Sequence, residues 1–322
     1  MRLDTPPPTE PVPDAAEVAR RTAVADALLV ADQAETAAEG DGVRADVVIE
    51  LTEIADIAVE QAEQLGGEYD SGLDDIVTEP SARASASASI TEPTPRSVVT
   101  SLTGAATRTR AAADQTQVGP LGRLLASIST SQTQHARSLA ELTGAQSPEL
   151  PSTQIPEPED PTADPTETED ASAAPASATS GPPVVPTGLS AEDLSALVLA
   201  EDTAGYALEV RAAQTEGEVR TRAEGSARLH RARAQAWALV AGVDGTDQDP
   251  RRVAYVVPGA DTTTPDLARA LEGDLAQNYA SLVGIAEPGT RAVLIALLTD
   301  ATLAGAEWGA PAVPFPGLPE QA

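Results

Sequence analysis

Apolar residues recur every three or four positions along most of the chain, the spacing that places them on one face of an α-helix. Four such segments fall in the first half of the chain and four in the second, and no segment shows a strong alternating strand pattern. The pattern predicts helices at roughly 14–38, 43–65, 95–116, 119–144, 190–215, 217–242, 264–286 and 290–309. The predicted fold class is therefore all-α.

The residues at the predicted helix ends support these boundaries. Gly144 follows the last apolar residue of the fourth helix and is a natural C-cap, because glycine adopts the left-handed conformation without a steric penalty. Ser190 and Asp193 predict a capping box at the start of the fifth helix, with Asp in place of the usual Glu. Pro265 falls in the first turn of the seventh helix, where its missing N–H is tolerated.

Residues 148–188 separate the two groups of helices. The segment is rich in Pro, Thr, Ser, Ala and acidic residues, and no basic residue occurs between Arg137 and Arg211. Such a composition cannot bury enough apolar surface to fold, so it predicts a disordered linker. We therefore expect two four-helix bundles joined by a tether. The predicted divisions are a Pro-rich leader at 1–13, an N-terminal bundle at 14–147, the linker at 148–188, and a C-terminal bundle with an extended tail at 189–322.

The charge of the chain restricts its partners. Its 322 residues include 50 acidic and 20 basic residues, all of the latter arginine, for a net charge of −30. Such a charge opposes contact with nucleic acid, so we expect no nucleic-acid partner. Cysteine is absent, which excludes disulfides and thiolate metal sites. No apolar run approaches the ~20 residues of a transmembrane helix, so no transmembrane segment is expected.

The first residues, MRLDTPPPTEPVPD, are proline-rich and polar. Such a start is typical of the tether that follows a removed export or lipoprotein signal, and an ordinary frayed terminus is the alternative. The first interpretation predicts an envelope-associated or extracytoplasmic protein with a lipid anchor, and the second a cytoplasmic one. We expect the chain to bind a partner protein of unknown identity.

One polar side chain falls at or near the inward stripe of each C-terminal helix. These residues are Glu201, His230, Glu272 and Asp300, at helical spacing from Leu and Ala neighbours. Buried charges must be paired or must coordinate a cation, because an isolated charge in an apolar core is strongly unfavourable. The four residues therefore predict either a hydrogen-bonded polar layer that fixes helix register or a single metal site.

The spacing does not match that of di-iron bundles, which take Glu-x-x-His from two of their helices. Ala227 stands three residues before His230, and Leu303 stands three residues after Asp300. At most the four residues would hold one iron or manganese ion, and we favour the polar layer. The other histidine, His135, follows Gln132 on an inward face, and a neutral amide is a weak ligand for iron or zinc.

No catalytic motif is evident. The sequence contains no Gly-x-Ser-x-Gly, no phosphate-binding loop and no Gly-x-Gly-x-x-Gly, and it has only two histidines. The sixth helix is locally basic, with Arg220, Arg222, Arg228, Arg231 and Arg233. In so acidic a chain we interpret these arginines as solvated side chains that balance neighbouring acidic helices.

The segments LVLAEDTAGYALEV, LHRARAQAWAL, LARALEGDLAQNYASLV and RAVLIALLTDATLAGAEW, followed by VPFPGLPE, carry a family resemblance. Residues from about 190 to 322 resemble the actinobacterial ferritin-like domains of unknown function, and the FPGLPE ending is the most specific feature. The resemblance implies a ferritin-like four-helix bundle without a full di-iron ligand set and without an established activity. The N-terminal half is similar to exported, alanine-rich helical proteins.

The final proline-rich segment completes the prediction. PAVPFPGLPE is expected to run extended along the bundle and to bury Phe315 and Leu318. Taken together, the sequence predicts a non-enzymatic interaction or structural protein. A divergent metal-binding protein, either an oxidoreductase or a metal store, is the alternative.

Overall fold

The computed structural model describes residues 12–70, 92–157, 184–259 and 261–321. Within these ranges the protein has eight α-helices, one short 3-10 turn and no β-strand. The predicted all-α class with two four-helix bundles is confirmed. Most of the predicted leader, and residues 158–183 of the predicted linker, lie outside the described residues.

The first four helices form the N-terminal bundle, and each begins and ends within two residues of its predicted limit. They are α1 (Ala15–Ala38), α2 (Ala45–Gln64), α3 (Pro95–Gln115) and α4 (Gly119–Thr143). The Asp14 side chain accepts the Glu17 N–H at the start of α1. Gly144 ends α4 in the left-handed conformation with φ of 62°, as its C-cap position predicted.

The last four helices form the C-terminal bundle. They are α5 (Ala191–Ala213), α6 (Gly217–Val240), α7 (Thr264–Ile285) and α8 (Ala292–Glu307). The predicted capping box is present, because the Asp193 N–H donates to Ser190 Oγ and the Ser190 N–H donates to Asp193 Oδ2. A carboxylate one methylene shorter than Glu therefore closes the same reciprocal pair of bonds.

Helix α4 belongs to both bundles. It packs on α2 and α3 on one side and on α7 and α8 on the other. One apolar core runs through this contact and joins Leu125 and Ile128 of α4 to Leu294 and Leu298 of α8. The described parts of the two bundles are therefore in direct contact, whereas the sequence predicted only a tether between them.

The middle of α4 is polar yet buried. Its seven buried polar side chains between positions 127 and 135 are Ser127, Ser129, Thr130, Ser131, Gln132, Thr133 and His135. Several satisfy their hydroxyl groups within the protein: the hydroxyls of Thr130 and Thr299 of α8 are 3.0 Å apart. Part of this stretch is thus buried against the C-terminal bundle, where Thr130 meets Thr299.

Close backbone approach brings the start of α4 against the end of α7. A Cβ at Gly119 would lie 2.1 Å from the carbonyl oxygen of Gly284, so only glycine fits at position 119. The buried guanidinium of Arg291 lies beside this contact and donates to the carbonyls of Ala113, Thr116 and Ala286. It thereby satisfies backbone acceptors at the ends of both α3 and α7.

The C-terminal tail lies in a groove between the bundles. Phe315 and Leu318 are each 4% exposed and enter the common core, as predicted. The tail carbonyls also accept hydrogen bonds, from Ser127 Oγ to Pro316 O at 2.7 Å and from Gln61 Nε2 to Pro314 O at 3.1 Å. Only Pro319–Gln321 forms a 3-10 turn; the tail otherwise contains no helix.

Two further findings bear on the linker and on membrane association. Residues 148–157, at the start of the predicted linker, are described, and Ile155 is buried in the common core. Among the described helices, none is both long and apolar enough to cross a bilayer.

Candidate functional site

The C-terminal bundle contains a buried hydrogen-bonded chain that we call the polar centre, formed by Glu201, His230, Trp237, Glu272 and Tyr279. Glu201 lies on α5, His230 and Trp237 on α6, and Glu272 and Tyr279 on α7. Each of the five residues is at most 2% exposed. The helical spacing predicted from the sequence therefore places three of the four candidate ligands together.

His230 lies between two carboxylates. Its Nδ1 is 2.8 Å from Glu201 Oε2, and its Nε2 is 3.2 Å from Glu272 Oε1. An ionised carboxylate can only accept hydrogen bonds, so each contact calls for an N–H on the imidazole. Two such contacts are satisfied together only by the doubly protonated ring.

The two carboxylates favour the charged form of His230. Burial by itself lowers the pKa of this imidazole, but the hydrogen bonds and charges of Glu201 and Glu272 outweigh burial and raise the pKa to about 9. At neutral pH His230 is therefore a cation held between two acidic groups. An imidazolium has no lone pair to offer a metal ion.

Tyr279 and Trp237 complete the hydrogen bonding of Glu201. The Tyr279 hydroxyl donates to Glu201 Oε1, and the Trp237 Nε1–H donates to the Tyr279 oxygen at 3.4 Å. Complete burial, together with the neighbouring Glu201 charge, raises the pKa of Tyr279 well above its usual value. The phenol therefore stays protonated and acts as a donor, and both oxygens of Glu201 have a partner.

Asp300, the fourth residue predicted from the sequence, is not part of the polar centre. Arg233 Nη2 donates to Asp300 Oδ2 at 2.6 Å, and the Asp300 side chain is 32% exposed. Burial opposes the charge of Arg233, but Asp300 and the groups of the polar centre raise its pKa on balance. The pairing of Asp300 with a buried arginine was not anticipated, because Arg233 was expected to be solvated.

The donor set does not fit one shared ion as it is arranged. Glu201 and Glu272 contact different nitrogens of a planar ring, so His230 separates them. A metal ion bound to nitrogen at about 2.0–2.1 Å would take the place of one of these hydrogen bonds. Among the described residues, no three side chains of ligand type are grouped so that one ion could bind them all.

One oxygen of the polar centre lacks a partner. Glu272 Oε2 is buried and accepts no hydrogen bond from the described residues. An unsatisfied buried acceptor is unfavourable by about 1–3 kcal/mol. This oxygen is the one observation in the centre that favours a further ligand, and the metal alternative stays a prediction.

A second layer covers the centre on the side of α5. Asp202 is 3% exposed and accepts from both Arg231 and the Tyr255 hydroxyl. Tyr255 packs edge-to-face on Tyr206 with ring centroids 5.5 Å apart, so the α6–α7 loop is held against α5. The sequence analysis did not identify this layer.

A signal for the second layer was available in adjacent pairs of residues. Glu201 and Asp202 are neighbours on α5, and His230 and Arg231 are neighbours on α6. Each acidic residue pairs with a basic one 29 positions later. Two consecutive acids facing two consecutive bases across a helical hairpin indicate a two-layer contact.

The basic face predicted on α6 is largely paired. Arg220 contacts Glu224 at 2.8 Å, and Arg222 donates to the Glu307 carbonyl beside the Trp308 ring. The Arg220 partner lies on α6 itself and the Arg222 acceptor is a backbone carbonyl, so neither contact tests the expected balance with neighbouring acidic helices. Arg231 and Arg233 differ from the expected solvated state, because Arg231 pairs with buried Asp202 and the Arg233 side chain is 6% exposed.

Comparison with known proteins assigns the C-terminal bundle to no described activity. No curated protein and no solved structure shows significant similarity to the chain. Residues 194–320, which span nearly all of α5 to α8 and the tail, match one family model. The part of the chain that contains the polar centre is therefore similar to the family described as Domain of unknown function (DUF4439).

Proposed function

We propose that this chain is a non-enzymatic helical interaction or structural protein of the cell envelope, whose C-terminal bundle is ferritin-like in arrangement but lacks a full di-iron ligand set. The supporting observation is the pairing of His230 with Glu201 and Glu272. Groups that would bind iron in a di-iron bundle here neutralise one another.

The burial of the polar centre supports the same proposal. A general base must come within hydrogen-bonding reach of a substrate proton. Glu201 is fully buried, His230 is 1% exposed and Glu272 is 2% exposed. His230 is thus enclosed and already bonded at both nitrogens, which is the condition of a structural group.

A groove of about 920 Å³ between the two bundles is the surface on which we place the partner. Glu50, Glu53 and Glu141 line it from the N-terminal bundle and Glu307 from α8, against the single basic residue Arg137. Charge complementarity governs partner choice and association rate, so a basic segment of the partner protein is the expected occupant.

Metal analysis of natively purified protein tests the non-enzymatic proposal. We expect no stoichiometric iron, manganese or zinc, and no change after growth in metal-supplemented medium. Stoichiometric metal that is lost in Glu272→Gln but retained in Glu320→Gln would establish the alternative, a divergent metal-binding oxidoreductase or metal store. Glu320 is a suitable control because it is exposed and pairs only with Arg123 at the surface.

Charge reversal tests the groove. The double variant Glu53→Arg and Glu141→Arg inverts part of its lining, and we expect it to lose the partners cross-linked by the wild type in its own cells. The matched control is Glu60→Arg with Glu63→Arg, which makes the same change of charge at exposed positions of α2 outside the groove. Equal loss in both double variants would indicate a bulk charge effect and contradict the assignment.

Cell fractionation tests the proposed location. The gene, expressed with its native upstream sequence, should yield protein in the envelope fraction, and detergent should release it if it carries a lipid anchor. Recovery in the cytoplasmic fraction alone would contradict this part of the proposal.

A further inference from the structure

A small enclosed cavity lies inside the N-terminal bundle, apart from the polar centre. Its volume is about 10 Å³, and its lining comes from all four N-terminal helices. Most of the lining is apolar, including Ile54 and Leu102. The polar part comes from Gln61 and from the buried polar stretch of α4.

Three buried polar atoms at this cavity lack a hydrogen-bond partner among the described residues. They are Ser131 Oγ, Gln132 Oε1 and His135 Nε2. The three residues are 0%, 3% and 3% exposed, so bulk water does not reach them. Buried polar atoms of folded proteins are nearly always bonded, either to protein or to an ordered water, so three unpartnered atoms at one cavity indicate a bound molecule.

The contact between His135 and Glu50 leaves one nitrogen of the ring for that molecule. Nδ1 of His135 is 3.0 Å from Glu50 Oε1, so Nδ1 donates to the carboxylate and Nε2 is the nitrogen without a partner among the described residues. Gln132 Oε1 is an acceptor, and the Ser131 hydroxyl can donate as well as accept.

We infer that this cavity binds a single internal water molecule. The water bonds to Ser131 Oγ, Gln132 Oε1 and His135 Nε2, and three bonds are the usual number for a buried water. The volume agrees, because a cavity of about 10–15 Å³ holds one water.

A larger ligand or a metal ion does not fit this site. About 10 Å³ is close to the space that one water needs and less than a larger ligand requires. The lining contains no carboxylate, and Glu50 already accepts from the opposite nitrogen of the His135 ring. The water thus continues a hydrogen-bonded path from Glu50, at the groove between the bundles, through His135 to the interior of the N-terminal bundle.

A crystal structure of the full chain at a resolution that shows ordered water tests the inference directly. We expect one water within hydrogen-bonding distance of Ser131 Oγ, Gln132 Oε1 and His135 Nε2. A dry cavity, or side chains rearranged so that the three atoms bond one another, would overturn it.

Substitution then tests the water itself. Ser131→Ala should abolish the magnetisation transfer from water to the interior residues around the cavity. Ser129→Ala is the matched control, because the Ser129 hydroxyl is equally buried but donates to the Ala126 carbonyl at 2.8 Å. If Ser131→Ala retains the transfer as fully as Ser129→Ala does, the assigned site is wrong.

Discussion

Both histidines of this chain are buried on inward faces of their helices, but their partners differ. His230 is bonded at both nitrogens by carboxylates, whereas His135 is bonded at Nδ1 by Glu50 and has no protein partner for Nε2 among the described residues. In the C-terminal site, both nitrogens of the histidine contact protein carboxylates. In the N-terminal site, the histidine lines a cavity. A buried histidine therefore does not define a site by itself, because the partner of its second nitrogen differs between the two sites.

The two bundles also differ in how their buried polar residues are distributed over the helices. In the C-terminal bundle three of the four helices contribute one or two polar residues to one centre. In the N-terminal bundle the polar residues are concentrated on α4, which packs against both bundles. Four variants or conditions separate the two arrangements, and their expected effects decrease in the order given.

Removal of a carboxylate should affect the C-terminal site most. Glu201→Ala leaves the Tyr279 O–H without an acceptor and removes one of two charges that stabilise buried His230. We expect a loss of roughly 3–5 kcal/mol in the free energy of unfolding, the range for breaking a buried ion pair. Glu50→Ala, at the partly exposed counterpart, should lower it by about 1–3 kcal/mol. Urea denaturation measures both, and equal losses would remove the distinction between the sites.

Alkaline pH should weaken the C-terminal site in a defined window. The pKa of His230 is about 9 in the folded protein against 6.5 for the unperturbed group, so its stabilisation is complete below pH 6.5 and is lost as pH rises through 9. The difference corresponds to about 3 kcal/mol.

The composition makes that measurement clean. The chain has no lysine and no cysteine, so few other groups titrate between pH 6.5 and 9. The variant His230→Gln should lose the dependence of unfolding free energy on pH in this window, and His135→Gln should retain it. The reverse outcome would assign the dependence to the N-terminal site.

The hydroxyl of Tyr279 should contribute less than a whole charge. Tyr279→Phe removes the donor to Glu201 and the acceptor for the Trp237 N–H. A hydrogen bond to a charged group contributes about 1.5–3 kcal/mol, and we expect a loss of that size in urea denaturation. Tyr69→Phe serves as the control, since this ring is 40% exposed and lies against Arg21 at the surface. A comparable loss in the control would point to a general effect of the substitution.

The contact between the bundles should give the smallest of the four effects. Gly119→Ala forces a Cβ against the Gly284 carbonyl, and overpacking of this kind is destabilising by about 1–3 kcal/mol. Because α4 packs on both bundles, this contact couples their unfolding. We therefore expect the two bundles of the Gly119→Ala variant to unfold in separate steps. Gly225→Ala on α6 has open space around the new Cβ and should stabilise the protein by about 0.5–1 kcal/mol. A single unchanged transition in Gly119→Ala would show that the contact contributes little.

Much of the fold could be predicted from local information. Helix limits follow from apolar spacing and from caps such as Ser190 and Gly144, which act within a few residues of the chain. The inward positions of Glu201, His230 and Glu272 follow from the same spacing. Asp300 shows the limit of this reasoning. Its helix could be predicted from the spacing, but its partner Arg233 lies 67 residues away.

The cavity and the second layer could not be predicted in this way. Ser131 and Gln132 line a cavity formed by residues of all four N-terminal helices, and the spacing along one helix does not specify which neighbours surround it. Likewise the bond from Tyr255 to Asp202 depends on the path of a loop with no regular spacing.

The order of residues determined the eight helices, their ends and the polar groups that face inward, since those features depend on periodicity and on contacts between near neighbours. The tertiary structure decided which inward groups meet: His230 between two carboxylates, Asp300 beside an arginine, and α4 between two bundles. The physical reason is that pairing energies depend on distance and burial in three dimensions, and a linear pattern gives a residue's face without giving its partner.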